Sequence, residues 1–491
     1  MFMSHQKKTI HQGKVGLLRN TVAAGVAAIM IAASLSTASA ADGDAPATPS
    51  WQAGPVTLTF GGFTALESLY RTRYEGTDIG SDFNTKIPFP YQTTNYNVSE
   101  FRETARQSRL SILAQGPRSG GMSAEGYFEL DFLGDAENAN SNESNSYTPR
   151  IRVLYGLFRD TDQGFYFLAG QSWSLVTLTR HEMDPRSEMP PLTIDSQYVA
   201  GFNWTRNPQV RFVKSWNDQI AVGLSIESPQ AQVCPAASAT SAVGCNTPGS
   251  AVTTVAGTQQ LISATALALD FVPDVVLKVA ADPGYGHYEL YGLGRGYRDR
   301  NSALGQNNTT YSGGVGGSIL LPLVPSMLDF QASVLTGSGI GRYGSAQLPD
   351  VAVRPDDTLA AINETDALGG LVFKPNSAWT FYAYGGIEQA SAAAYTNAAG
   401  TVGYGYGSPL YNNSGCLLAT GSAAKCAADT KSIEQGAIGT WWKYYQGAMG
   451  NLQLGLQGSY TRRETFTGIG GDPSTNMTVI MASFRFYPYQ R

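Results

Sequence analysis

Arginines at short spacings are the residues of this chain that could most readily do chemistry. A guanidinium group stays charged at physiological pH and binds a carboxylate through a forked pair of hydrogen bonds. Arg71 and Arg73 occupy alternate positions, as do Arg150 and Arg152, so each pair shares one face of a strand. A wall of such groups around water would raise the local concentration of anions.

Arg106 and Arg109 cannot share a face of one regular strand, which places at least one of them at a rim or a bulge. The alternative to an anion-attracting wall is that the arginines pair across neighbouring strands with Glu67, Glu125, Glu129 and Asp131. The predicted channel-lining residues are Arg71, Arg73, Arg106, Arg109, Glu125, Glu129, Arg150, Arg152 and Arg211.

A second candidate site is the long segment Trp173–Trp204, which shows little alternation. Loops of this length are usually functional. Folded inward, the segment would narrow a channel; folded outward, it would be an ordinary surface loop. Its prolines and tryptophans favour the inward, packed arrangement. Its predicted constriction residues are Arg180, His181, Glu182, Asp184, Arg186 and Glu188.

Signals for an enzyme are poor. The segment His181–Asp184 lacks the second histidine of the H-E-x-x-H zinc motif. Beyond the first forty residues the only histidines are His181 and His287, too few for a metal cluster. We therefore predict no enzymatic activity, no metal and no cofactor. A hydrolase with a Ser-His pair is the remaining enzymatic alternative.

The first forty residues have the pattern of an export signal. Basic residues before position 20 precede the apolar run Thr21–Leu35, and Ala38-Ser39-Ala40 fits the small-residue cleavage rule. We predict a signal peptide over 1–40, a short N-terminal segment over 41–55 and one β-domain over 56–491. Removing four of the 33 basic residues leaves 29 against 38 acidic residues, which argues against a nucleic-acid partner.

Export would bring the four cysteines into an oxidising compartment, where they are expected to form disulfides. Cys234 and Cys245 lie in one loop-like stretch, and Cys416 and Cys426 lie in another. In an oxidising compartment each pair is expected to close its own loop as a disulfide. The competing metal site lacks both a C-x-x-C spacing and a neighbouring histidine.

From Trp51 onward, apolar and polar residues alternate with period two in segments of about ten residues. In Leu452–Tyr460, for example, leucines oppose Gln453 and Gln457. A soluble sandwich would also alternate, but it would need a second sheet or helices to cover its edges. We read Leu261–Ala281 as one long strand with a bulge at Asp270–Pro273.

Short links alternate with long polar stretches. This is typical of an outer-membrane barrel, with turns in the periplasm and loops outside. With both termini periplasmic, seven short links predict an all-β fold: a transmembrane antiparallel β-barrel of about sixteen strands with an inward-folded constriction loop. The short links are Gly116–Gly121, Arg159–Gly164, Trp216–Gln219, Pro283–Gly286, Leu321–Ser326, Lys374–Ser377 and Gln446–Asn451.

The chain resembles the DcaP-like family of Gram-negative outer-membrane porins. The resemblance rests on Arg106–Arg109 (RQSR), Gly170–Trp173 (GQSW), Pro208–Arg211 (PQVR) and Gly337–Tyr343 (GSGIGRY). It implies a trimer of sixteen-stranded barrels that passes small anions, dicarboxylates among them, with Arg106, Arg109, Arg152 and Arg211 in the channel. The chain departs from this pattern in two respects. It has no coiled-coil segment before the barrel, and its last residue is not the aromatic residue common to many outer-membrane barrels.

These observations predict an outer-membrane porin for passive diffusion of small hydrophilic solutes, with a preference for anionic ones. The expected partners are outer-membrane lipid, small anionic solutes and two further copies of the chain. A general or carbohydrate porin is one alternative, in which Tyr285, Tyr288 and Tyr291 would matter more than the arginines. A non-conducting adhesin or receptor barrel is the alternative from another class.

Overall fold

The computed structural model describes residues 50–489, apart from 82, 85, 135–147, 235–269, 302–305 and 357. The predicted signal peptide, most of the 41–55 segment, Cys245 and its predicted bond to Cys234 lie outside the described residues. Within the described part of the chain, no helix has the length and apolarity needed to cross a membrane.

Strands make up nearly all of the regular structure. Those that form the main sheet are β1 (Ser50–Ala53), β2 (Val56–Arg71), β3 (Glu100–Thr104), β4 (Arg109–Gln115), β5 (Met122–Asp131), β6 (Arg150–Asp160), β7 (Phe165–Trp173), β8 (Arg206–Trp216), β9 (Ile220–Glu227), β11 (Asp274–Ala281), β12 (His287–Asn301), β13 (Gln306–Val324), β14 (Leu328–Ser338), β17 (Asn363–Phe373), β18 (Trp379–Ala390), β21 (Thr430–Gly447), β22 (Gly450–Thr465) and β23 (Ser474–Tyr487). The connections contain β10 (Val233–Cys234), β15 (Val351–Val353), β16 (Leu359–Ala361), β19 (Ala393–Thr396), β20 (Gly403–Tyr406), the helix α1 (Thr93–Asn97) and two single 3₁₀ turns, Gly341–Tyr343 and Ala423–Lys425.

The main sheet closes on itself. β2 pairs with β23 on one side and with β3 and β4 on the other, and every neighbouring pair is antiparallel. β3 and β4 follow each other along β2 and together occupy one position. β1 pairs only with the first residues of β2 and adds no position of its own, so the eighteen strands of the sheet form the predicted barrel of sixteen. Arg106 lies in the break between β3 and β4, where the spacing of Arg106 and Arg109 requires an irregularity.

The two faces of the barrel have the opposite polarity to those of a soluble protein. Along β11 the exposed positions are Val275, Leu277 and Val279, whereas the alternate, buried positions include Asp274 and Lys278. An apolar outer face opposed to a polar interior is expected of a barrel surrounded by lipid. The closed sheet also pairs the backbone groups that lipid could not solvate.

Seven short turns lie at one end of the barrel and longer connections at the other. The turn between β8 and β9 contains Asn217 and Asp218 in the left-handed conformation, with φ of 56° and 52°. Two such residues form the type of tight turn that joins antiparallel strands. The connections at the opposite end are longer, as the sequence predicts, except that only residues 302–305 join β12 to β13.

The connections at the open end are partly ordered by small sheets and a disulfide. β10, β15 and β16 form one sheet, and β19 and β20 form a hairpin. Cys416 and Cys426 are joined by a disulfide whose two residues are buried together with Phe89. In the Leu261–Ala281 segment the described strand is β11, preceded by a single bridge from Asp270 to Tyr297, and the strand is interrupted at 271–273; residues 261–269 of the predicted long strand lie outside the described residues.

Candidate functional site

The segment between β7 and β8, residues 174–205, folds into the barrel; we call it the constriction loop. Its backbone amides reach the wall on the far side of the lumen: Ile194 donates to Gln457 at 2.6 Å and Ala200 to Gln435 at 3.1 Å. Trp441, also on that wall, donates its indole N–H to the Leu192 carbonyl at 2.7 Å. The inward course predicted from the sequence is confirmed.

Carboxylates on the strands from β9 to β18, here called the acidic wall, anchor this loop. Glu227 accepts from the Leu175 amide at 3.2 Å. Glu289 accepts from the amide and the hydroxyl of Thr179 at 2.9 and 2.7 Å. A buried carboxylate needs such donors, because burial without them is costly.

The anchoring continues toward the end of the loop. Glu388 accepts from the Gly201 amide at 2.8 Å, and Asp366 accepts from the Asn203 side chain at 2.8 Å. These carboxylates bind the loop and do not face open space, since both residues are at most 1% exposed. The acidic wall is therefore occupied by the loop, and the open part of the lumen lies toward the strands from β4 to β8, here called the arginine wall.

The sequence analysis missed the acidic wall. Glu289, Asp366 and Glu388 each occupy an inward position of an alternating strand, which was the available signal. What the alternation could not show is that backbone amides of a distant loop would occupy them. The same applies to Lys278, which is fully buried and lies 2.6 Å from Glu289.

An inner cavity of ≈ 180 Å³ lies between the arginine wall and the constriction loop. Its charged lining residues are Arg109, Arg152, Arg186, Glu129 and Glu188. Its remaining walls include the rings of Tyr127, Tyr155 and Trp173. At about 30 Å³ per water the cavity has room for about six waters, the size range of one small organic solute.

Several arginines of this wall pair with carboxylates, as the alternative reading of the sequence expects. Arg152 lies 2.6 Å from Glu129 and 2.9 Å from Asp131, which also binds Arg150 at 2.7 Å. Arg186 of the loop reaches Glu125 at 3.2 Å.

Arg109 differs from these arginines. Among the described residues it forms no ion pair, and its buried Nε has no hydrogen-bond partner. Glu129 lines the same cavity, but Arg152 holds it. Arg109 thus offers the inner cavity a guanidinium without an ion-pair partner among the described residues, and Glu188, which lines the same cavity, carries the opposing charge when it is ionised.

An outer cavity of ≈ 490 Å³ opens toward the long connections and is lined by Arg150, Arg206 and Arg342. Arg206, the first residue of β8, was not among the predicted lining residues. Its guanidinium lies beside a pair of indoles, 5.3 Å from the ring of Trp173 and 5.4 Å from that of Trp204. Its Nε and one terminal nitrogen are buried without a partner in the described structure.

The predicted placement in the channel lining is wrong for two of the arginines. Arg71 is fully buried and is held by Glu100 at 3.2 Å and by backbone carbonyls of the connection that follows β2. Arg211 is 1% exposed and binds Gln209 and the Trp173 carbonyl beneath the constriction loop. Both point inward, as the alternation requires, but folded connections cover them.

Two other arginines lie near the open end, away from both cavities. Arg73 stacks on Tyr96, with 3.7 Å between its guanidinium and the ring centre. Arg106 binds Asp78 at 3.0 Å together with the carbonyls of Phe132 and Gly134. Neither lines the described cavities, so both are corrections to the predicted lining.

Of the constriction-loop residues, Arg186 and Glu188 line the inner cavity. The others lie at the loop tip near the short turns: Asp184 binds Arg159 at 2.8 Å, and Glu182 accepts from Ser215 at 2.8 Å. His181, Glu182 and Asp184 could place three ligand atoms within 4.8 Å of one another. Arg159 competes with a metal for Asp184, and Arg180 is exposed beside Met189.

Burial raises the pKa of Glu188 to about 6. The carboxylate is therefore mostly charged at pH 7 and mostly neutral at pH 5. We expect acidification from pH 7 to pH 5 to raise the anion-to-cation permeability ratio about twofold to threefold, the effect on the two ions of one unit charge at ~8 Å in ~0.1 M salt. Reversal potentials at the two pH values measure this ratio.

A Glu188→Gln variant should show the higher ratio already at pH 7 and lose most of the pH response. Asp195, whose pKa burial also raises to about 6, faces Gln457 and lines neither cavity, so its titration should not substitute for that of Glu188. His181→Gln is the control for an exposed imidazole in the same loop. An undiminished pH response in Glu188→Gln contradicts the assignment.

Fold and lumen together define a closed sixteen-stranded barrel of the porin type, narrowed by an inward loop. Its fold is similar to that of the outer membrane channel DcaP of Acinetobacter baumannii, with a TM-score of 0.60 at 16% identity over 90% of this chain and 100% of that chain. The predicted resemblance to DcaP is confirmed at the level of the fold.

More distant similarities include the anion-selective porin from Comamonas acidovorans, with a TM-score of 0.47 at 9% identity over 88% of this chain and 99% of that one. OprB of Pseudomonas putida has a TM-score of 0.46 at 8% identity over 87% of this chain and 94% of that one. No protein-family model matches the chain, and no curated protein matches it. At these identities the similarities establish the fold alone.

Proposed function

We propose that this protein is a diffusion channel of the bacterial outer membrane that passes small hydrophilic solutes and prefers anionic ones. One observation carries the proposal: the carboxylates of the acidic wall bind the constriction loop, whereas the arginine wall faces the cavities. The outer cavity therefore has a positive excess, because three arginines and no described carboxylate line it, and this excess raises the local concentration of anions. Solutes must also bind weakly enough to leave, which isolated charges in a hydrated lumen allow.

Arg206 and Arg342 supply this excess, and Arg109 adds a positive charge in the inner cavity. Each faces a cavity, and the guanidinium of none of them has an ion-pair partner among the described residues. Arg150, Arg152 and Arg186 add positive charge that Glu125, Glu129 and Asp131 largely neutralise. The preference therefore depends on three residues, of which the sequence analysis identified Arg109.

Export and membrane insertion belong to the same proposal. Residues 1–40 have the sequence of a cleaved signal peptide, and the outward strand positions are apolar, such as Leu290, which is 68% exposed. The resemblance to the DcaP-like family supports a homotrimer. Chemical cross-linking of the protein in outer-membrane vesicles tests that state.

The observed geometry does not favour the carbohydrate alternative. Tyr291 is buried, with its hydroxyl near the Val334 carbonyl, whereas Tyr285 and Tyr288 are exposed. The three rings therefore do not form the continuous stripe along a channel that a sugar would follow.

Single-channel recording in a planar bilayer under a KCl gradient tests the proposal. We expect discrete open channels whose reversal potential shows preference for chloride. Open channels without preference would support a general porin. Absence of conductance from folded protein, established by heat-modifiable migration, would contradict the channel and favour an adhesin or receptor barrel.

A further inference from the structure

We propose that the two cavities are successive binding sites for small aromatic monocarboxylates, the benzoate type of solute. The inference rests on the proposed channel function and specifies its solute class. It follows from the charge that each cavity leaves unpaired and from the rings that surround that charge. Aliphatic dicarboxylates, which the family resemblance implies, are the solutes against which it must be compared.

The charge of the inner cavity suits one carboxylate. Of its three guanidinium groups, Arg152 is held by Glu129 and Asp131, and Arg186 is held by Glu125. Arg109 alone lacks an ion pair within the described chain. A second carboxylate on the same solute would have to displace one of these existing pairs, because no further unpaired guanidinium lines this cavity among the described residues.

A hydroxyl that lines the same cavity as Arg109 is also without a partner. The Ser172 hydroxyl is buried and makes no hydrogen bond in the described structure. Buried polar groups normally have partners, so an unsatisfied hydroxyl in a cavity with an unpaired guanidinium indicates a place where a solute or water supplies them.

The uncharged walls of the inner cavity are aromatic. Tyr127 and Tyr155 lie with their ring centres 5.8 Å apart, and Trp173 covers another side. Aromatic rings prefer offset or edge-on contacts at such distances. A flat aromatic ring bearing one carboxylate can therefore stack on the aromatic walls and pair with the free guanidinium. A saturated ring of the same charge can form only the ion pair.

The outer cavity has a related combination, with Arg342 as a second guanidinium that forms no ion pair among the described residues. Arg206 lies beside Trp173 and Trp204, whose ring centres lie 5.8 Å apart. Trp173 lines the inner cavity, so one indole contacts Arg206 of the outer site and belongs to the inner site. A solute leaving Arg206 can keep contact with Trp173 while it approaches Arg109. Weak sites in series are the arrangement that favours selective diffusion.

The test is block of the chloride current by added organic acids in single-channel recordings. Benzoate, cyclohexanecarboxylate and succinate are compared, because the first two match in charge and carbon skeleton and differ in aromaticity. Benzamide controls for the ring without the charge. We expect benzoate to halve the current at a concentration about threefold to tenfold lower than cyclohexanecarboxylate, with succinate and benzamide weaker than benzoate.

Two matched pairs of variants locate the effect. Trp173→Leu should bring the half-blocking concentration of benzoate to that of cyclohexanecarboxylate, whereas Trp379→Leu, on the partly exposed rim outside both cavities, should leave it unchanged. Arg109→Gln should weaken block by both acids, and Arg462→Gln, on an exposed position of β22, should weaken neither.

Each outcome supports or overturns the inference. Equal block by benzoate and cyclohexanecarboxylate, or stronger block by succinate, in a channel that still prefers chloride overturns the solute class and leaves the proposed function intact. Absence of a chloride-selective current refutes the proposed function itself. The comparison of solutes on the wild-type protein decides the matter even where Trp173→Leu fails to fold.

Discussion

Deletion of residues 175–203, with a short Gly-Ser linker in their place, should increase single-channel conductance severalfold and reverse the ion preference from anions to cations. The increase follows because a sixteen-stranded barrel without an inward loop encloses a wide aqueous channel. The reversal follows because the loop covers the acidic wall. Without it, Glu227, Asp366 and Glu388 lose the loop donors that they bind and face water.

Reversal potentials under a KCl gradient measure the sign of this change, and conductance measures its size. The anchoring carboxylates become hydrated in the deletion variant, so they should not prevent folding in the way that buried unpaired charges would. The control is a variant in which the same linker lengthens the β21–β22 turn, which lies outside the lumen. A larger but still anion-selective channel in the deletion variant would contradict the assignment of the acidic wall.

Replacement of Arg295 by methionine should lower the free energy of unfolding by about 3–5 kcal/mol. Arg295 is buried and lies 2.6 Å from Asp350 and 3.1 Å from Asp274, and it donates to the Gly339 carbonyl at 2.7 Å. Methionine matches the arginine stem in length but leaves both carboxylates buried without their cation. That unpaired charge, rather than lost packing, accounts for the size of the effect.

Denaturant unfolding of the detergent-solubilised protein, followed by tryptophan fluorescence, measures the difference. Arg462→Met is the matched control, since Arg462 is exposed and pairs only with Glu464 among the described residues; exposed pairs contribute at most about 1 kcal/mol. Because Asp350 also accepts from the Gln232 amide, the same variant should loosen the connection that contains β10. Equal stabilities of the two variants would contradict the role of Arg295.

The barrel could be predicted from the sequence because the alternation within each strand shows which of its residues face inward. Alternation in Leu452–Tyr460 or Ser123–Phe132 fixes which residues face inward, and the count of short turns fixes the number of strands. The inward course of the constriction loop was predictable from its length and its prolines. These features depend on local sequence, which is why they could be read without any partner.

The site was less predictable because it depends on contacts between distant segments. Arg71 and Arg211 face inward, but the connections that cover them were not apparent from the strands. The inward carboxylates Glu289 and Glu388 are visible in the sequence, but their engagement by amides 110 and 187 positions away is not. Arg206 was missed because it stands at the start of β8, outside the alternating pattern, and its importance comes from the two indoles beside it.

The most direct test of the account is the reversal potential of an Arg109→Gln/Arg206→Gln double variant under a KCl gradient, compared with wild type and with Arg462→Gln. The two replaced residues carry one unpaired positive charge in each cavity. We expect the anion-to-cation permeability ratio to fall about fivefold in the double variant, the effect on the two ions of two unit charges at ~8 Å in ~0.1 M salt, and to stay at the wild-type value in Arg462→Gln. An unchanged ratio in a double variant that folds and conducts would contradict the claim that these two arginines help to set the selectivity.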